Sequence, residues 1–232
     1  MEVDKKLLLT AGAITALLFA TIFGLNTLLN ERREEIVLNR MQELTEEFSE
    51  TQTMMYLMQA YGENVTCIAL REQMSYLDEK IWKLGNKIDS YQKVVKEYSD
   101  NPFYLNQKSK FNRQEVMYLS MMKEMKQECE INQTIVVYFY GRCDEGVKCD
   151  EQSYVLTYIN ERIDDEIALF SFDTDLNVAS VGLLKAIYNI TELPAIVVEE
   201  HKYEGFHNKN EVESILCNHS NLSICKTEGV SR

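Results

Sequence analysis

"QTIVVYFYGRCDEGVKCDEQSYVLTYINERI", residues 133–163, is the stretch on which the fold turns. Its opening is an apolar run rich in β-branched and aromatic residues, the composition of a buried strand, and its close carries apolar residues at helical period. Between them stand Cys143 and Cys149, five residues apart. Downstream, "EIALFSFDTD" (166–175) reads as a second strand and "VASVGLLKAIYN" (178–189) as a second helix. "ELPAIVVEE" (192–200) is a strand opened by Pro194, "HKYEGF" (201–206) a hairpin partner, and "NKNEVESIL" (208–216) a closing helix. The order is βαβαββα, and its strand-helix-strand start implies a parallel pair joined by a right-handed crossover.

Upstream the pattern is helical. Val37, Met41, Leu44, Phe48, Met55 and Met58 follow four-three spacing, with Thr51 at the one polar seam position. After the interruption "YGENVTC" (61–67), Leu70, Met74, Leu77, Ile81, Leu84, Ile88, Tyr91, Val95 and Tyr98 alternate by four and three. That is the seam of a coiled coil or of a helix packed on one partner. "SDNPF" (99–103) breaks it, and Pro102 suits the first turn of a new helix, where its missing N–H would be unpaired anyway. The next seam, Tyr104, Phe111, Tyr118, Met122, Met125 and Cys129, runs back antiparallel if the turn is short. Cys67 and Cys129 then lie at similar distances from that turn, so a disulfide can close the open end of the hairpin.

The N-terminal run "LLLTAGAITALLFATIFGLNTLLN" (7–30) carries no charge and, at 1.5 Å per residue, is long enough to cross a hydrocarbon core of ~30 Å. A cleaved signal peptide would have a shorter apolar core and a small-x-small site near its end. Lys5 and Lys6 on one side balance Arg32 and Arg33 on the other, so the positive-inside rule does not orient the segment. The six cysteines do: an even set falling into local pairs suggests disulfides, which persist outside the cytoplasm. The sequons at Asn64, Asn132, Asn189, Asn218 and Asn221 are glycan acceptors in the same compartment. The expectation is a single-pass protein of the cell membrane with its N-terminus cytoplasmic. Its parts are a tail (1–6), a membrane helix (7–30), a helical stalk (31–60), a helical hairpin or coiled coil (67–130), an α/β domain (131–217) and a C-terminal tail (218–232), α+β overall. With 24 basic against 37 acidic side chains, a net charge of −13, nucleic acid is excluded as a partner.

Over residues 133–217 the chain resembles the thioredoxin fold. The "VVYFYGRC" approach to a cysteine, the acidic "FDTD" after the second strand and "AIYNITELPAIVV" carry the resemblance. It implies that Cys143 matches the nucleophilic cysteine, Cys149 the resolving cysteine at the helix start, Pro194 the cis-proline facing them, and Leu193 the substrate-facing position. The family places two residues between its cysteines, whereas this chain has "DEGVK". The helix N-terminus that would stabilise a thiolate belongs here to Cys149, and Asp144 and Glu145 disfavour a thiolate at Cys143.

Little else carries chemistry. His201, His207 and His219 lack the spacing of zinc ligands, no phosphate loop or serine elbow occurs, and neither metal nor cofactor is expected. Trp82 flanks a helical seam, where an aromatic packs an interface more often than it binds a ligand. The expected bridges are Cys67–Cys129, Cys143–Cys149 and Cys217–Cys225. Two readings stay open: a membrane-tethered thiol-disulfide oxidoreductase acting on exported proteins through Cys143 and Cys149, or a non-catalytic scaffold or binding module whose bridges are clips. In the second, the stalk can also self-associate into a homo-oligomer.

Overall fold

The computed structural model describes residues 5–61, 63–94, 101–129, 131–141 and 148–225. Three long helices come first: α1 (Lys5–Tyr61), α2 (Glu63–Val94) and α3 (Pro102–Glu128). Asn101 caps α3, its side-chain oxygen accepting from the Phe103 N–H at 2.8 Å, and Pro102 occupies the first turn. There follow β1 (Thr134–Tyr140), α4 (Cys149–Ile163), β2 (Ile167–Asp173), α5 (Ala179–Ile187), β3 (Ala195–Val198), β4 (His201–Glu204) and α6 (Lys209–His219). Asn208 and Glu211 form a capping box at the start of α6.

The four strands lie in the order β2-β1-β3-β4. β1 and β2 are parallel, while β1–β3 and β3–β4 are antiparallel, with Phe139 opposite both Phe172 and Ala195. This is the arrangement that βαβαββα and the thioredoxin resemblance imply. Period two sorts the strand residues between faces. Val136, Tyr138, Ile167, Ile196 and Val198 meet α4 and α6, whereas Ile135, Val137, Phe139, Phe170, Phe172, Ala195 and Val197 meet the other layer. That second layer is α5 together with α3.

The helical region is therefore part of the same core. Tyr118 of α3 packs its ring 5.4 Å from Phe170 of β2, and Lys126 near the end of α3 reaches Glu199 after β3 and the Gln133 carbonyl before β1. The stalk expected to stand apart is the third helix of this layer. Val37, Met41, Leu44, Phe48, Met55 and Met58 are all buried against α2 and α3, as is Thr51, whose hydroxyl turns back to the Glu47 carbonyl. The physical reason is that each fully buried side chain of this size contributes roughly 1.5–3 kcal/mol, so the chain covers the seam itself. The seam of the stalk is thus filled by side chains of the same chain. Gly85 lets α2 come close to α3: a Cβ there would sit 3.0 Å from the Phe111 ring. Lys80 pairs with Glu47 across α1 and α2 at 2.8 Å, and the Cys67–Cys129 disulfide joins the start of α2 to the end of α3.

The N-terminal part of α1 is different. It is long and apolar enough to cross a membrane, and none of its apolar window is buried. Leu9, Phe19 and Phe23 stand exposed while the same helix, continued, supplies Leu44 and Phe48 to the core.

Candidate functional site

β1 ends at Tyr140, Gly141 leads into residues 142–147, and α4 opens at Cys149. Arg142, Cys143, Asp144 and Glu145 lie outside the described residues. Cys149 is disulfide-bonded and 4% exposed, buried at the N-terminus of its helix. Its carbonyl accepts from the Tyr138 hydroxyl at 2.7 Å. Burial, and then the charge of Asp150, push the Tyr138 phenol above its ordinary range, so that it stays a donor. Tyr138 and Tyr140 stack at 5.3 Å.

Beside this corner lies a group that no motif announced. Lys108 of α3 is nearly buried and places its Nζ 2.7 Å from Asp173 Oδ2 at the end of β2, and 5.2 Å from the centre of the Tyr140 ring. Burial opposes its charge, but Tyr140, Asp173 and Tyr104 outweigh burial and raise its pKa above the lysine value. Asn112 and Glu115 continue the same stripe of α3: Asn112 donates to the Asp173 carbonyl and Glu115 accepts from the Ser171 N–H, both at 3.5 Å. Side chains of α3 thus cap the outer edge of β2 that would otherwise be open to another strand.

On the other side of β1, the Leu193–Pro194 bond is cis. The register that sets Phe139 against Ala195 brings Pro194 beside the end of β1 and so near the entrance to the cysteine loop. Pro194 is buried, its carbonyl accepting from the Gly205 N–H, and Leu193 is half-buried against the core. Glu204 holds the preceding turn through the N–H groups of Thr191 and Glu192 and the Thr191 hydroxyl.

The remaining expected residues are spread over the surface. Cys217 and Cys225 are bridged, with Cα atoms 5.5 Å apart. Asn132, Asn189, Asn218 and Asn221 are exposed, while Asn64 lies on α2 with its side chain outside the described set. The histidines, scattered in sequence, converge on β4 and α6: His201 stacks on His219 at 4.1 Å, and Tyr203 meets His219 Nε2 at 2.6 Å. Among the described residues no group of three or more His, Cys, Asp and Glu side chains is arranged to hold a metal ion. Trp82 is 44% exposed and contributes to the lining of a cleft.

No protein-family model matches the chain, and no curated protein matches it. Solved structures that resemble it include a malarial protein, 22% identical with a TM-score of 0.33, the match covering 38% of this chain and 98% of that one. A malaria-parasite thioredoxin-2, described as a component of the protein secretion machinery, is 22% identical with a TM-score of 0.32, over 38% of this chain and 84% of its own. Chloroplastic thioredoxin z is 19% identical with a TM-score of 0.32, over 42% and 87%. The fold is thioredoxin-like, and that assignment stands on strand order, crossover and cis-proline position.

Proposed function

We propose that the chain is a single-pass membrane protein that presents a thioredoxin-fold binding module on the extracytoplasmic side, with its disulfides serving as clips. The observation that carries this reading is α1, one helix whose unburied apolar part fits a bilayer and whose continuation is built into the core of the module. The clip reading is supported by the burial of Cys149 and by the acidic company of both cysteines, Asp144 and Glu145 in sequence and Asp150 and Glu151 in the first turn of α4. Negative charge there opposes the thiolate that exchange requires. Asn132, Asn189, Asn218 and Asn221 are the proposed glycan acceptors, exposed as glycosylation demands.

A second reading, an oxidoreductase for exported proteins, is favoured by one arrangement: Pro194 lies beside the end of β1, and the Lys108 ammonium lines the same cleft as Cys149. Two measurements decide. Protease added to intact cells should remove residues 30–232; protection of that segment overturns the topology. The Cys143–Cys149 pair of the full chain, followed by differential alkylation of its peptides in graded thiol buffers, should titrate below about −300 mV. A value between about −120 and −270 mV, with a mixed disulfide trapped by Cys149→Ser, establishes the oxidoreductase.

A further inference from the structure

The outer edge of β2 lies at the bottom of a cleft of about 1700 Å3, walled by α2 and α3 on one side and α4 on the other, with Cys149 in its lining. It is separate from the cis-proline turn, because β2 and β3 flank β1 on opposite sides. The charge in it is one-sided. Among the described residues, eight acidic side chains line it against one basic group, Lys108, which is already paired with Asp173. The acids are distributed along its length: Asp78 and Glu79 on α2, Asp150 and Glu151 on α4, Asp165 before β2 and Asp175 beyond it. Each wall also carries an exposed aromatic, Trp82 on α2 at 44% and Tyr154 on α4 at 70%.

Carboxylates interleaved with aromatic faces are the chemistry that recognises ammonium and guanidinium groups, by charge-assisted hydrogen bonds and by cation–π contact. Phosphate backbones and a second copy of this chain, at −13, are repelled by the same field. An added β-strand is disfavoured, because Glu115 and Asn112 already occupy the Ser171 N–H and the Asp173 carbonyl. We infer that the cleft is a docking groove for an extended Lys/Arg-rich segment of a partner polypeptide, held through its side chains. This names a partner class for the binding module proposed above, and rests on that reading only for the side of the membrane on which the partner is met.

Trp82 is the single tryptophan of the chain and stands in the groove, so its emission reports occupancy. The full chain in a non-ionic detergent, disulfides intact, is titrated with a short peptide alternating Arg and Ser and, separately, with its Glu-for-Arg counterpart. The Arg peptide should change Trp82 emission saturably, with affinity falling about tenfold or more between about 0.1 and 0.5 M salt, and the Glu peptide should not. The double variant Asp150→Asn/Glu151→Gln should weaken the Arg peptide about fivefold or more, and Tyr154→Ala should weaken it too. Glu46→Gln/Glu50→Gln, which removes equal charge from the exposed face of α1, should leave binding unchanged. Equal weakening by both charge pairs would show attraction to net charge alone and overturn the groove. So would binding of the Glu peptide, or an unchanged Trp82 signal in protein whose melting is normal. None of these readouts depends on topology or on thiol exchange, so the groove and the preceding proposal fail separately.

Discussion

Glu204 gathers several donors at the turn before β3. Its carboxylate receives the Thr191 N–H, the Lys202 ammonium, the Glu192 N–H and the Thr191 hydroxyl, and in that order these hold its pKa down to about 2. In the unfolded chain a glutamate titrates near ~4.3, so the stabilisation is fully present above ~4.3 and is lost as pH falls from there through about 2. Denaturant unfolding of the wild type should therefore lose stability across that window. Glu204→Gln should flatten the dependence there, and an unchanged slope would show that the turn is held by other groups. Lys108 teaches the converse lesson about what one residue reveals. In "NQKSKFN" it reads as one charge in a solvated run, and nothing local marks it as buried. A signal did exist: positions 108, 112, 115, 119 and 122 alternate by four and three, and the stripe that ends in buried Leu119 and Met122 begins with Lys108, Asn112 and Glu115. Polar residues in register with an apolar stripe satisfy a buried edge, but only the fold says which edge. The histidines escaped for the same reason, since contacts between β4 and α6 are invisible along the chain.

At the scale of elements, the helices and strands were legible because their periods are local. Val37 to Met58, Leu70 to Ile88 and Tyr104 to Cys129 are buried at the seam positions that spacing marks, and the strand residues alternate between the two faces of the sheet. What covers a seam is not local, so α1 reads as a stalk and folds as a third helix against α2 and α3. The bridge between Cys67 and Cys129 secures that layer at the end remote from the α2–α3 connection. It closes a loop of 62 residues, which in the chain-entropy treatment corresponds to about 4 kcal/mol. Cys67→Ala/Cys129→Ala should lower the unfolding free energy by about that amount in reversible denaturation. A loss below ~1 kcal/mol would mean that packing alone closes the hairpin.

For the whole molecule, the division between a helical region and residues 131–217 separates side chains that share one core. Cut at residue 131, the sheet would keep α5 but lose the part of its cover that α3 supplies, exposing Phe170 where Tyr118 now packs on it. Residues 131–232 alone should bind hydrophobic dyes and lack near-ultraviolet circular dichroism, whereas residues 31–232, which retain the helical layer, should show a cooperative melt. A cooperative melt of the shorter fragment would refute the shared core. The continuity of α1 has a geometric consequence too. At 57 residues it is a rod of roughly 85 Å, with no described break between the part proposed for the bilayer and the part inside the module. Such a joint leaves no swivel, so with the proposed span in a bilayer the bearing of the proposed groove around the membrane normal is set by helical phase. One residue inserted near Arg33 would swing the groove by about 100°, and a heptad would return it close to its first bearing, farther from the lipid by about 10 Å. The direction from which the proposed partner would approach is thus written in the residue count of one helix.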